Sequence, residues 1–246
     1  MFAHYEDFFF CVFLQRLILY VNLSVNVLKV EQGIFRQNLP ILTLQTIRRS
    51  PMKLKDSKTY INLAKSYAGE CQARTRYEFI EYGARNAGYK YLAELIDKVV
   101  YNEFNHARMF YTYLQDSEET QIENIDIASG YPFKEKWDLL DNLRIAAEDE
   151  FNEANRIYPE YAETARKEGF ECIAKLYEDI IQVETCHNKL FSQLYEQMKN
   201  GTMYKKPQKI KWKCADCGYE AVAKEAWQQC PLCKAGQGAV MIQIED

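Results

Sequence analysis

Glu103-Phe-Asn-His106 and Glu184-Thr-Cys-His187 are two copies of one spacing, and they use two of the chain's three histidines. On an α-helix that spacing sets a carboxylate and an imidazole side by side on one face. Two further segments of helical character offer Glu70 and the pair Glu150/Glu153. One carboxylate helix, one carboxylate-pair helix and two Glu-x-x-His helices form the ligand set of a di-iron or di-manganese carboxylate four-helix bundle. Buried carboxylates that converge without a counter-charge are costly, so the set implies cations. Glu70, Glu103, Glu150 and Glu184 balance two divalent metals, and His106 and His187 complete the coordination with neutral nitrogen. The mixture of carboxylate and imidazole suits iron or manganese better than calcium or copper. Such a centre can give two electrons to a peroxide bond without releasing a radical.

Each element has a plainer reading when taken alone. A single Glu-x-x-His is ordinarily a solvated i,i+3 pair, and Glu150/Glu153, like Glu148 beside them, would be a charged helix face. What separates the set from chance is its order, one contribution per helix. Glu153 is surplus to charge balance, and an extra anionic oxygen favours the ferric state. The expectation is that one iron leans on His106 when reduced and on Glu153 when oxidised. Tyr77 and Tyr158 read either as core aromatics or as hydroxyls that hydrogen-bond a ligand carboxylate. Cys71 and Cys186 adjoin ligand positions but point elsewhere on their helices.

A second metal signal closes the chain. Cys214-Ala-Asp-Cys217 and Cys230-Pro-Leu-Cys233 are knuckles about a dozen residues apart. Together they can set four thiolates tetrahedrally around zinc or iron, and spacing does not choose between the two. Trp212, Tyr219 and Trp227 could shield an iron–thiolate centre from water, or could be the core of a small structural domain.

These residues need helices to position them. Apolar residues recur at helical spacing from Ser57, a candidate cap, through Ile61, Ala64, Ala68, Tyr77 and Ile80 to a break at Asn86-Ala-Gly88. A second helix is expected from about Tyr89 to Leu114. Residues 116–136 then read as the long crossover of a ferritin-like bundle. The third helix is expected to start near Trp137 and to be interrupted by Pro159, with a short segment to Gly169. The fourth runs from about Phe170 to Met198. The fold class is thus all-α, a ferritin-like four-helix bundle over 52–201. A linker over 202–209 and a small metal-knuckle domain over 210–246 follow.

The first fifty-one residues stand apart. The apolar run 8–28 carries Arg16 at its middle, Asn22, Ser24 and Asn26 further on, and Glu6 and Asp7 before it. The run is long enough to suggest a membrane segment, but these polar residues weaken that reading. The acidic flank weakens an export signal, which leaves a membrane or export segment as the lesser alternative. The segment is expected to lie outside the working protein, with translation starting at Met52 and Arg48-Arg49 encoding a purine-rich ribosome-binding site. A net charge of −4 and the lack of any basic stripe argue against a nucleic-acid partner. Of eight cysteines four form the knuckles, and the scattered Cys11, Cys71, Cys172 and Cys186 read as reduced thiols of a cytoplasmic protein.

Assembled, the chain from Met52 onward resembles the rubrerythrins, in which a ferritin-like di-iron domain is fused to a rubredoxin-like domain. The resemblance rests on Ala68-Gly-Glu70-Cys-Gln-Ala-Arg74, Glu103-x-x-His106, Glu150-x-x-Glu153, Ile157-Tyr-Pro159, Glu184-x-x-His187 and the four knuckle cysteines. It implies that Glu70, Glu103, His106, Glu150, Glu153, Glu184 and His187 hold two non-haem irons, with Tyr77 and Tyr158 nearby. It implies a single iron on Cys214, Cys217, Cys230 and Cys233. The implied reaction is peroxide reduction to water, with electrons entering through the thiolate iron from an NAD(P)H-dependent rubredoxin-type reductase or from rubredoxin. A homodimer is implied too, with the small domain of one subunit near the di-iron site of the other. The runner-up is an iron-handling ferroxidase that consumes oxygen, and a third reading is a zinc-binding module that only organises an oligomer. One departure from the pattern is Lys234, where rubredoxins have glycine after the last cysteine.

Overall fold

A computed structural model describes residues 52–117, 122–128 and 138–245. The N-terminal segment, Gly130-Tyr-Pro132 of the crossover and the expected helix start at Trp137 lie outside the described residues. Five helices carry the bundle: α1 (Lys58–Asn86), α2 (Lys90–Asp116), α3 (Leu139–Asn152), α4 (Tyr158–Glu168) and α5 (Glu171–Lys199). Ser57 caps α1 as expected, its hydroxyl accepting from the Tyr60 N–H at 3.1 Å. Gly88, at φ +86°, makes the turn into α2. α1 packs along α2, while α3 and α4 both pack along α5.

Pro159 does not interrupt the third helix in the manner expected. The chain stays helical from Leu139 to Glu168, and the disturbance is a π-turn at Glu153–Ile157 just ahead of the proline. Proline has no N–H to give to the preceding turn, and the wider turn absorbs that loss. The π-turn also corrects the phase of the helix. On an unbroken α-helix, residues eight apart point about 80° away from each other. Here Glu150 and Tyr158 are both buried on the inner face.

The apolar interior falls into two clusters. One gathers Tyr77, Leu92, Ile96, Leu143, Phe191 and Leu194. The other gathers Leu63, Phe110, Tyr158, Ala165, Tyr177 and Ile180. Each helical line passes from one cluster to the other through a buried acidic position: Glu70 on α1, Glu103 on α2, Glu150 and Glu153 at the α3 junction, and Glu184 on α5.

After α5 the chain forms two antiparallel strands, β1 (Lys205–Lys213) and β2 (Glu220–Glu225), with Trp212 opposite Ala221. Most of the stretch expected as linker, 202–209, is therefore inside β1. Its lysines mask the alternation in which Ile210 and Trp212 face inward. Trp212, Ala226 and Val240 make a small core. Met203 and Ile242 are buried in the same cluster as Phe191 and Leu194. Gln193 exchanges two hydrogen bonds with the Glu245 backbone, at 2.7 and 2.8 Å, and Lys90 pairs with Asp216. Gly238 lies so close to the α1–α2 turn that a Cβ there would stand 1.7 Å from the Gly88 carbonyl oxygen. Cys71 and Cys186 are free thiols.

Gly238→Ala is therefore expected to force the knuckle domain off the α1–α2 turn. The cost should be about 1–3 kcal/mol, the usual range for overpacking. Faster amide exchange at 88–90 and 237–239, together with a lowered Tm, is the readout.

Candidate metal centres

The acidic layer between the two apolar clusters gathers Glu70, Glu103, His106, Glu150, Glu184 and His187. Two groups of donors have their ligand atoms within 4.8 Å of one another: Glu70, Glu103, His106 and Glu184, then Glu103, Glu150, Glu184 and His187. Glu103 and Glu184 belong to both groups. His106 Nδ1 lies 2.9 Å from Glu184 Oε1, 3.1 Å from Glu103 Oε2 and 3.8 Å from Glu70 Oε2. His187 Nδ1 lies 2.7 Å from Glu184 Oε2, 3.0 Å from Glu103 Oε1 and 3.7 Å from Glu150 Oε2. Both tyrosines are buried with their hydroxyls on the layer. Tyr77 donates to Glu150 Oε1 and Tyr158 donates to Glu70 Oε1. The two open readings of these tyrosines thus coincide, since each is a core aromatic and a carboxylate donor. Glu153 is buried beside the layer but lies outside both groups.

In the knuckle domain Cys214, Cys217, Cys230 and Cys233 converge. Cys214 Sγ is 3.7 Å from Cys233 Sγ, and Cys217 Sγ is 3.6 Å from Cys230 Sγ. A tetrahedron with metal–sulfur bonds of about 2.3 Å has edges of about 3.8 Å. Backbone N–H groups of Asp216 and Cys217 point at the Cys214 sulfur, and those of Leu232 and Cys233 at Cys230. Gly218 and Lys234 hold corresponding places after each knuckle, at φ +75° and +64°. Lysine adopts there the left-handed conformation that glycine takes freely, at a cost of about 1 kcal/mol. Tyr219 and Trp227 meet edge to face at 5.2 Å and pack on the cysteines, while Trp212 fills the neighbouring core.

The family model for rubrerythrin matches residues 62–195 and 141–219. The chain belongs to the rubrerythrin family. It is 39% identical over 180 residues to the rubrerythrin of Clostridium perfringens, covering 73% of this chain and 91% of that protein. To the rubrerythrin of Porphyromonas gingivalis it is 33% identical over 180 residues, covering 73% and 87%. A solved structure of nigerythrin in a partially reduced state shares the fold, with a TM-score of 0.50 and 22% identity, over 86% of this chain and all of that one. Rubrerythrins are di-iron oxidoreductases implicated in oxidative stress.

The donor atoms fit the rubrerythrin cofactors, two non-haem irons in the layer and one iron on the four thiolates. Glu70 Oε2, Glu103 Oε1, Glu150 Oε2, both Glu184 oxygens and His187 Nδ1 are buried and make no hydrogen bond among the described residues. These atoms approach one another closely yet are not aligned as donor and acceptor. That is the signature of lone pairs directed at a common cation. Without a cation the layer compensates with protons. Burial, then Glu103 and Glu184, pushes the Glu150 carboxyl up to about 8. Burial and neighbouring carboxylates also raise Glu70 and Glu153. For Glu103 burial is outweighed by contacts with His106 and His187, and its carboxyl is lowered. Burial opposes charge on His106, yet Glu184 and Glu103 overcome it and raise the imidazole to about 10.

The sequence reading passed over one residue here. Asn102 Nδ2 lies 3.1 Å from His187 Nε2. A metal on Nδ1 leaves the ring proton on Nε2, and the amide then turns its oxygen toward that proton. The only trace in the sequence is that the residue before Glu103 is polar whereas the one before Glu184 is Val183.

Folding of the metal-free chain takes up protons on Glu150 and His106, whose ordinary values are 4.5 and 6.5. The stability they confer is complete below those values and is lost as pH rises through 8 and 10. Metal-free protein is expected to lose Tm steadily from about pH 6 to 9. Iron-loaded protein should not, because its ligands are deprotonated by the metal. Thermal melts with and without chelator across that range check this.

Proposed function

We propose that the chain reduces hydrogen peroxide to water at the carboxylate–histidine layer, as a cytoplasmic, NAD(P)H-linked peroxidase. Two electrons and two protons turn one peroxide into two waters. The iron pair supplies the two electrons when bound. The observation that carries this reading is the coincidence of two donor groups sharing Glu103 and Glu184 with a four-thiolate iron site in the same chain. An iron-handling ferroxidase has no need of such an electron inlet.

In this reading Glu70, Glu103, Glu150, Glu184, His106 and His187 are the metal ligands, with Glu103 and Glu184 shared. Tyr77 and Tyr158 each occupy one oxygen of a terminal glutamate, which leaves the other oxygen of Glu150 and Glu70 free to ligate. The apolar clusters on both sides keep bulk water from the layer and hold these side chains in single rotamers. Glu153 is the reserve carboxylate, taking the place of His106 when the iron pair is oxidised. Its charge bears on both halves of the layer, on Glu150 and Tyr77 as well as on Glu70 and Tyr158. Electrons come from an NAD(P)H-dependent rubredoxin-type reductase, or from rubredoxin, through Cys214, Cys217, Cys230 and Cys233. A homodimer places the thiolate iron of one protomer near the layer of its partner.

The deciding test uses iron-loaded protein, fully reduced without air and mixed rapidly with peroxide or with oxygen. Oxidation of the di-iron site is expected to be fast with peroxide, with the thiolate colour developing behind it. Fast oxidation with oxygen alone would transfer the protein to the ferroxidase class. Glu153→Ala should slow peroxide turnover at least about tenfold, as loss of an interaction made on oxidation does. Unchanged turnover in that variant would remove Glu153 from the ligand set.

A further inference from the structure

The layer has a near two-fold symmetry. Exchanging Glu103 with Glu184, His106 with His187 and Glu70 with Glu150 carries one half onto the other. The 2.9 Å contact of His106 with Glu184 maps onto the 3.0 Å contact of His187 with Glu103. The 3.8 Å approach of His106 to Glu70 maps onto the 3.7 Å approach of His187 to Glu150. The hydroxyl of Tyr158 on Glu70 maps onto that of Tyr77 on Glu150. One member stands outside the exchange: Glu153, three residues after Glu150, has Ala73 as its counterpart three residues after Glu70.

The symmetry fails a second time one residue ahead of each shared glutamate. Asn102 precedes Glu103, and Val183 precedes Glu184, both at a half-buried depth. From α2, Asn102 reaches the outer nitrogen of His187 on α5. By the same exchange Val183 stands to His106 as Asn102 stands to His187. A valine side chain has no hydrogen-bonding group. Among the described residues, the outer nitrogen of His106 makes no hydrogen bond. His187 is thus tethered at both ring nitrogens once Nδ1 is ligated, and His106 at one.

We propose that Asn102 is a positioning residue that pins His187 and so, beside the unmatched Glu153, leaves His106 as the histidine able to depart. This rests on the ligand exchange proposed above only in its last clause. Pinning acts on the ring itself: an imidazole whose outer N–H is held cannot rotate about its side-chain bonds without breaking that bond, and it stays a better ligand. The unpinned ring is free to swing out when a competing carboxylate is favoured.

Two independent readouts test this on the full-length, iron-loaded protein. The first is release of layer iron from the reduced protein to a ferrous chelator, followed apart from the thiolate iron by its colour. Asn102→Ala should release one iron about tenfold faster, in line with lost partners of ligating histidines. Asn102→Asp, which keeps an acceptor for the ring N–H, should restore the slow rate. Val183→Asn should slow release of the other iron. Identical release from the wild type and Asn102→Ala would overturn the proposal. So would a fast rate that Asn102→Asp fails to rescue, since that marks a merely structural defect. The second readout is the crystal structure of each peroxide-oxidised protein. Wild type should keep His187 and lose His106, whereas Val183→Asn should keep both. An oxidised wild type holding both histidines would defeat the exchange reading, while the release rates still decide the role of Asn102.

Discussion

Four glutamates and two histidines share one buried layer across the bundle, with a fifth glutamate, Glu153, buried beside it, and each helical line interrupts its apolar stripe to admit them. Left to themselves these groups repel and must borrow protons to stay folded, as the raised carboxyls of Glu70, Glu150 and Glu153 record. A pair of divalent ions replaces those protons and turns a costly arrangement into a binding site. Much of the remaining architecture serves that exchange. The two apolar clusters lie on either side and exclude water, and the hydroxyls of Tyr77 and Tyr158 cross between helices to hold the terminal glutamates. The site is thus made rigid by groups that are themselves part of the core.

The knuckle domain is fastened to the bundle by contacts of the same close kind. Met203 and Ile242 complete an apolar cluster of the helices, and Gly238 meets Gly88 with no room for a side chain. Its cysteines are held by backbone N–H groups that stabilise negative charge on sulfur. Lys234 keeps the second turn in the conformation that Gly218 gives the first. The departure from glycine therefore alters neither the turn nor the convergence of the thiolates. Carboxylates and imidazoles in the bundle and four thiolates outside it are donor sets of different softness, which suits two centres with different tasks.

What could be read from the sequence was governed by short-range geometry. Glu103 and His106, or Cys214 and Cys217, are close because of a local backbone period, so spacing alone exposed them. Helices α1, α2 and α5 followed for the same reason, with Gly88 between the first two and Gly169 ahead of the last. Pro159 was misleading because a proline signals only a lost hydrogen bond, and whether the helix ends or widens depends on the packing around it. The lysines of β1 concealed a strand that is fixed by its pairing with β2. Asn102 was invisible because its partner is 85 residues away in sequence, on the far side of the metal layer.

The π-turn at Glu153–Ile157 has a consequence for how this gene can change length. A helix of uniform pitch between the same two ends needs one residue fewer, and shortening it would relieve the backbone. The same deletion would turn Tyr158 away from Glu70 and disengage the downstream apolar face from Phe110 and Tyr177. Selection on this stretch therefore acts on residue count as strictly as on residue type.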